Sequence, residues 1–571
     1  MNKLKLILES INSKDLVKAL NLCNEYEKEE SKNKHLINNF KGVINFLEGN
    51  LDLAENNFLS SHLLNSNFED PIKNLYLIYL KKNNPKKLLE FAKKLYEINN
   101  ESDLYSYQLA YAYELNNNNK LALEFYIKCI DCNGANKIKA LNNAGSIYLK
   151  NNKPKTSLRF FLEAYNLIKN DKIIINNLLL NYINLKDIKK SDEFFKLAET
   201  IDEKYIEFLY NKAEYKILNE EYDGAIEILS ANKNILKFKL SLIGLYFNMG
   251  NEKDAKSLLD SSRDEFKNNI NFYNYIGIRS LFEGNFEDGW KYYEYRGSKL
   301  TNILSSTKEW NGQNLERKSI VVFSEQGLGD SIQFSKYIIS LCKISKNVSF
   351  VVSKNIFNLF NNGIENLKIE TIESLEDKSF DYKISLGSLI KFFYKEKYDF
   401  KDILIKKDEA QIENWSKKID NSKPKVGLVW SGSFHGPNQP FRSVPLKSLD
   451  KILSLDINFY GLQNEIWERD KHYFENSNIL DFGKYNLVEI ASIIENLDLV
   501  ISADTSILHL SCSLNKETWG IFNIYPDWRW GEFDKINPYP SLQMIKQKKF
   551  NQWDDVADEI LKKLQLKFNL A

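Results

Sequence analysis

Residues Gln108–Tyr126 read QLAYAYELNNNNKLALEFY, and Asn143–Phe161 read NAGSIYLKNNKPKTSLRFF. Superimposed 35 residues apart, they place Ala110 on Gly145, Tyr113 on Tyr148, Asn117 on Asn152, Ala122 on Ser157 and Tyr126 on Phe161. The pattern extends both ways. Small or near-small residues recur at Ala19, Ala54, Leu88, Ala122, Ser157, Ser191, Ala225, Ala255 and Gly289, 30 to 35 residues apart. Four residues later comes a bulky or apolar side chain in most copies: Cys23, Phe58, Tyr126, Phe161, Phe195, Leu229, Leu259 and Tyr293. Twelve residues earlier sits another small residue at Gly42, Ala110, Gly145, Ala213 and Gly277. Five residues earlier Gly or Asn stands at Gly49, Asn83, Asn117, Asn152, Gly250 and Gly284. Small residues let two antiparallel helices approach, and the bulky residue fills the next groove. Gly and Asn tolerate the left-handed conformation that ends a helix.

A period near 34 with a helix–turn–helix unit is the signature of tetratricopeptide repeats. Nine copies in phase predict an α-solenoid over residues 1–300, the alternative being another helical solenoid. Stacked units of this kind form a concave groove, which suits a protein partner. A spacer or dimerisation surface is the alternative reading.

Beyond Arg296 the period changes. Residues 301–318 are polar and read as a linker. Ser319–Phe323 (SIVVF) and Val348–Val352 (VSFVV) are short apolar strands separated by an amphipathic helix from Ser331 to about Lys343. A second set begins after Pro424, with strands at Val426–Trp430, Ile457–Leu462, Leu499–Ser502 and Thr518–Phe522. Its helices are expected around 446–454, 487–496 and 505–514. Alternating strand and helix predict parallel sheets, hence two Rossmann-like α/β lobes, 319–420 and 421–571. Ligands of such sheets bind beyond the carboxyl ends of the strands.

Four strand ends carry candidate chemistry. Gly327-Leu328-Gly329-Asp330 permits a tight turn and close approach of a ligand, with Asp330 either a helix cap or a general base for an acceptor hydroxyl. Gly432, Ser433 and Arg442 can hold phosphate oxygens, or form a surface loop with a solvated Arg. Gln463 can read a base or ribose, or belong to a plain turn. Asp504-Thr505-Ser506 opens a helix whose free N–H groups suit a pyrophosphate. His509, one turn on, is a core residue or a ligand contact. Pro526-Asp527-Trp528-Arg529-Trp530 reads as a structural wedge closing the domain rather than a ligand contact. No G-x-G-x-x-G accompanies these ends, which disfavours a nicotinamide-dependent reductase. No D-x-D occurs, so a metal-bridged nucleotide site of that type is unsupported; helix dipoles and Arg would replace it.

Composition excludes other classes. The 571 residues carry 78 Lys+Arg against 77 Asp+Glu, a net charge of +1, which argues against a dedicated nucleic-acid binder. At 43% apolar and 13% aromatic residues the chain is not globally disordered. No window approaches the length of a membrane span, and the N-terminal apolar stretch is too short for a secretory core. Five Cys are too few for a disulfide framework. Cys129 and Cys132 form a lone C-x-x-C that reads as packing. A cytoplasmic location is expected.

These motifs together resemble a known family. Phe286–Arg296 (FEDGWKYYEYR), Glu325–Tyr337 (EQGLGDSIQFSKY), Val426–Gly432 (VGLVWSG) and Arg442–Leu446 (RSVPL) are followed by Phe459–Gln463 (FYGLQ), Leu497–Leu510 (LDLVISADTSILHL) and Tyr525–Trp530 (YPDWRW). In this order, over about 286–553, they resemble bacterial tetratricopeptide-repeat glycosyltransferases whose catalytic region is heptosyltransferase-like, of glycosyltransferase family 9. The layout is also similar to that of protein O-linked N-acetylglucosamine transferase. The resemblance implies a GT-B fold, with a nucleoside diphosphate sugar in the second lobe and an acceptor facing the first. It matches Asp330 to the family's proposed base, and Asp504, Thr505, Ser506 and His509 to its donor loop. Arg442 aligns with a basic residue that meets the diphosphate.

The expected function is therefore transfer of a hexosyl, heptosyl or N-acetylhexosaminyl group to a hydroxyl on a protein or glycan. No metal or cofactor is expected beyond the nucleotide sugar as co-substrate, and the repeats would recruit acceptor or partner. The alternative is a non-catalytic scaffold whose α/β region senses a nucleotide sugar or is degenerate.

Overall fold

The computed structural model describes residues 3–29, 33–151, 153–267, 269–296, 304, 306–361, 363–376, 378–396, 404–433, 440–536 and 539–570. They form two compact units, Met1–Tyr215 and Lys216–Ala571.

The first unit consists of paired helices: Lys3–Asn12 with Leu16–Glu29, Lys34–Leu47 with Leu51–Leu64, Glu69–Lys81 with Pro85–Ile98, and Asp103–Leu115 with Asn119–Asp131. Lys137–Lys150 with Pro154–Leu167 and Lys172–Leu185 with Ile188–Asp202 complete it. The repeat residues meet as their spacing requires. A β-carbon on Gly42 would lie 2.5 Å from the Phe58 ring, and one on Gly145 would lie 2.7 Å from Phe161. Ser157 Oγ also donates to the Gly145 carbonyl at 2.7 Å. Side-chain amides bridge first helices in phase, Asn74 to Asn39 at 3.1 Å, Asn177 to Asn142 at 2.8 Å and Asn211 to Asn176 at 2.9 Å. Cys129 packs in the core, where burial pushes its thiol up to about 12.

The turns show a rule stricter than residue type. Gly49, Asn83, Asn117, Gly250 and Gly284 all have positive φ; Asn152 lies outside the described residues. Lys14, Lys186 and Glu220 occupy the same phase with φ of 60°, 56° and 62°. A β-carbon in this conformation is crowded by its own carbonyl at a cost of about 1–2 kcal/mol, partly offset in any replacement by glycine's larger unfolded-state entropy. Lys14→Gly, at an exposed turn, is expected to stabilise the first unit by about 0.5–1 kcal/mol. Denaturant unfolding followed by circular dichroism reads this; no gain would mean that another contact at the turn offsets the strain.

The second unit begins with three further helix pairs. Ile206–Leu218, which crosses the boundary, precedes Tyr222–Ala231; then come Leu236–Asn248 with Glu252–Ser261 and Ile270–Glu283 with Phe286–Tyr293. The helix pairs therefore run on to Tyr293, while the compact units divide between Tyr215 and Lys216. Leu281, Trp290 and Tyr293 lie in the same apolar core as Ile320, Val322 and Phe334, so the last repeats pack as part of the α/β region. The expected linker is also more than a spacer. Within 301–318, strand β1 (Lys308–Glu309) pairs with the first sheet, and Trp310 is buried with its ring centroid 4.4 Å from that of Phe392. Residues 301–303 and 305 lie outside the described residues.

Two parallel sheets follow. The first contains β2 (Ser319–Phe323), β3 (Asn347–Val351), β4 (Leu367–Glu370) and β5 (Tyr382–Ser385), in the order β1-β5-β2-β3-β4. The second contains β6 (Lys425–Val429), β7 (Asn458–Gly461), β8 (Leu480–Asp481), β9 (Leu499–Ala503), β10 (Thr518–Phe522) and β11 (Leu542–Lys546). Its order is β11-β10-β9-β6-β7-β8. The edge strands β8 and β11 escaped the sequence reading because one has two residues and the other, LQMIK, does not form an apolar run. The expected helix from Ser331 is two, Leu328–Phe334 and Lys336–Ile344. At the break Ser335 Oγ donates to the Ile332 carbonyl at 2.8 Å, a local bond that competes with helix continuation.

Candidate active site

Both sheets reverse strand order at one point, β2/β5 in the first and β6/β9 in the second. Open α/β sheets bind ligands in the crevice beyond such a point. In the first lobe this protein fills that place itself. Arg296, just after the last repeat helix, sends Nη2 to Ser385 Oγ at 2.7 Å, Ser388 Oγ at 2.8 Å and Glu325 Oε1 at 2.8 Å. Gly387 is required beneath it, because a β-carbon there would lie 2.7 Å from the guanidinium.

At the end of β6, Trp430 is fully buried and its Nε1 donates to Asp470 Oδ2 at 3.1 Å. Gln463 Oε1 accepts from the backbone N–H groups of Trp430 and Ser431 at 3.1 and 2.8 Å, and its Nε2 donates to the Glu465 carbonyl at 2.7 Å. Gln463, read as a base or ribose contact or part of a plain turn, pins the strand end with its amide. Gly432 is buried and its carbonyl accepts from Trp467 Nε1 at 3.4 Å, while Ser433 is exposed. Residues 434–439 of the following loop lie outside the described residues. Arg442 returns to the crevice and donates from Nη1 to the Asp504 carbonyl at 3.2 Å. Ser431 Oγ and Arg442 Nε are buried without a hydrogen-bond partner among the described residues.

At the end of β9, Thr505 caps the helix Ser506–Ser513, and its Oγ1 lies 3.1 Å from Ser502 Oγ. Asp504 is buried, with Oδ1 3.8 Å from His509 Nε2. His509 stacks on Trp530 with centroids 5.5 Å apart, and Nδ1 lies 3.4 Å from the Tyr539 hydroxyl. Burial, reinforced by Arg529, Lys336 and Arg442, holds its pKa well below the usual value, so the imidazole is neutral.

Asp330 faces this loop from the first lobe. Its Oδ2 accepts from the Gly327 N–H at 3.0 Å, so it does cap its helix. Its Oδ1 accepts from Arg529 Nη1 in an ion pair that joins the two lobes. Gly329 permits the lobes to meet: a β-carbon there would lie 2.9 Å from His509 Cδ2 and 3.5 Å from Ser506 Cα. The close approach expected of a ligand at Gly329 is thus made by the second lobe.

Arg529 lies in the cluster that reads from the sequence as a structural wedge. Its neighbours do form the expected wedge, Trp528 against Trp290 and Tyr293 with centroids 5.7 and 5.4 Å apart, and Trp530 against His509. The arginine between them points instead to a carboxylate 199 residues away, which no local spacing signals. Asp527 Oδ1 accepts from the Arg529 backbone N–H at 3.2 Å and lies 3.3 Å from its Nε. Repeat helices hold both loops: Tyr525 is sandwiched between Phe247 and Phe282 with its hydroxyl on Arg279, and Tyr293 bonds Gln326. Burial pushes the pKa of Asp330 and of Asp527 up, while Arg529 opposes both shifts.

Residues 460–558 match the model of glycosyltransferase family 9 (heptosyltransferase). The glycosyltransferase family 9 match covers the Asp504–His509 and Asp527–Arg529 segments. The chain is 18% identical over 310 residues to protein FlbA of Caulobacter vibrioides, covering 48% of this chain and 52% of FlbA. It therefore spans about half the length of the curated relative it matches. Among solved structures, a tetratricopeptide repeat protein from Parabacteroides merdae is 16% identical with a TM-score of 0.35, covering 45% of this chain and 96% of that one. PilF of Pseudomonas aeruginosa is 13% identical with a TM-score of 0.32, covering 37% and 95%. The chain combines paired helical repeats with a C-terminal segment that matches the glycosyltransferase family 9 model. Among the described residues no helix is long and apolar enough to cross a membrane.

Proposed function

We propose that this protein is a metal-independent, cytoplasmic glycosyltransferase that moves a sugar from a nucleoside diphosphate sugar to a hydroxyl of a protein or glycan acceptor. The observation that carries this is the juxtaposition across the lobes. A carboxylate in the first lobe, Asp330, faces a helix N-terminus and a half-buried arginine, Arg442, at the strand-order reversal of the second. The N–H groups at Thr505 and Ser506, with Arg442, suit a diphosphate. Asp330 suits the acceptor's proton. The Arg296 contacts that fill the first-lobe crevice support a donor in the second lobe. In transfer, the acceptor oxygen bonds the anomeric carbon and the bond to the diphosphate breaks with its electron pair leaving on phosphate. The repeats of the first unit recruit the acceptor or a partner, and no cofactor takes part.

The test is incubation of the full chain with a panel of nucleoside diphosphate hexoses, heptoses and N-acetylhexosamines, without added metal and with chelator, read by mass spectrometry. Release of one nucleoside diphosphate is expected, with its sugar added to an acceptor or water. Binding without turnover of any donor would favour the scaffold reading, for which the engaged state of Asp330 is the supporting observation.

A further inference from the structure

The ion pair that engages Asp330 also defines what the site lacks. A general base needs a free carboxylate, yet this one is held by Arg529, with side chains only 18% and 14% exposed. The diphosphate of a nucleotide sugar carries about two negative charges, and among the described residues Arg442, half-buried and bonded to the Asp504 carbonyl, stands beside the helix end that would meet it. Three carboxylates, Asp330, Asp504 and Asp527, surround Arg529 and outnumber the two guanidiniums. His509 is neutral and adds nothing. The base is therefore free only if Arg529 changes partner, and a diphosphate at the Thr505–Ser506 helix end offers it one.

We propose that Arg529 is a catalytic residue that transfers from Asp330 to the donor's diphosphate, so that donor binding itself frees the base. This rests on the glycosyltransferase reading above. The exchange is favoured because a guanidinium between a single carboxylate and a doubly charged diphosphate gains more from the latter. It is favoured further in the transition state, where the breaking bond leaves another negative charge on the phosphate. The proton of the acceptor hydroxyl passes to Asp330, which has lost its cation. Burial then acts unopposed by Arg529 to raise the proton affinity of Asp330. Because the pair joins the two lobes, the same exchange releases one latch between them. Asp527, which accepts from the Arg529 backbone, keeps the loop in place while the guanidinium swings.

The two halves of the pair are expected to respond with opposite signs. The full chain is titrated calorimetrically with ADP, GDP, UDP, CDP and dTDP to find the nucleotide that binds. Asp330→Asn retains an acceptor for the Gly327 N–H but removes the competing charge. It is expected to bind that nucleoside diphosphate about 5- to 50-fold more tightly than wild type, the size of a typical coupling between sites, while losing sugar transfer. Arg529→Gln is expected to bind it at least about 10-fold more weakly, as loss of a charged hydrogen bond requires. Should the asparagine variant fail to fold, Asp330→Ser supplies the same comparison. Wild-type binding that Asp330→Asn leaves unchanged or weakens overturns the exchange and leaves the glycosyltransferase reading standing. Failure of wild type to bind any of the five overturns that reading, and the exchange with it.

Discussion

Replacing Asp330 by alanine is expected to lower sugar transfer by about 10²–10⁴-fold, the usual contribution of a positioned general base. The loss falls on kcat more than on KM for the donor, because the carboxylate meets the acceptor hydroxyl and not the nucleotide. The variant also loses the Gly327 helix cap, for which about 1 kcal/mol of stability is the usual cost. Wild-type pH dependence separates the two effects. Burial raises the Asp330 pKa, and only the ionised carboxylate accepts a proton, so turnover falls as the pH drops through a midpoint above the usual carboxylate value. That acid limb is expected to disappear from the residual rate of Asp330→Ala. Full turnover in the variant, measured as nucleoside diphosphate release, would exclude Asp330 as the base.

The second large effect is on stability. Arg296→Met is expected to destabilise the second unit by about 3–5 kcal/mol, because it leaves an uncompensated charge in the interior. Glu325 is 1% exposed and Arg296 8% exposed, and one oxygen of Glu325 has no hydrogen-bond partner among the described residues even with the arginine present. Adding Glu325→Gln to Arg296→Met is expected to recover more than half of the loss, since a neutral amide in that place costs far less than a bare carboxylate. Tryptophan fluorescence reads this directly in the full chain: all 9 Trp lie between residues 290 and 553, in the second unit. An additive double variant would show that the pair is not coupled. Glu325 precedes Gln326 and the Asp330 helix, so the single variant is also expected to lose activity before it unfolds.

The helical period was legible because close packing of two helices leaves no choice of residue size. Gly42 and Gly145 admit only the rings of Phe58 and Phe161. Strands β2, β6, β9 and β10 were legible for a related reason: central parallel strands are buried on both faces and read as apolar runs. Lys14, Lys186 and Glu220 were not legible as left-handed turns, because stacking of their helices forces that conformation on residues that do not prefer it. Repeat phase continues to residue 289, whereas the compact units divide between residues 215 and 216, which no residue pattern marks.

At the site, the sequence by itself located the loops, since a strand end followed by Gly, Ser, Thr or Asp is a local pattern set by backbone geometry. It placed Asp330, Arg442 and Asp504–Ser506 at such ends, and the structure brings them to one crevice. What each side chain does was decided only by the tertiary structure. Gln463 holds a strand end, Gly329 lets two lobes touch, Arg296 fills the crevice of the first sheet, and Arg529 holds the candidate base. Each is a contact between residues from 29 to about 200 positions apart, and chain connectivity places no constraint on charge pairing at that separation.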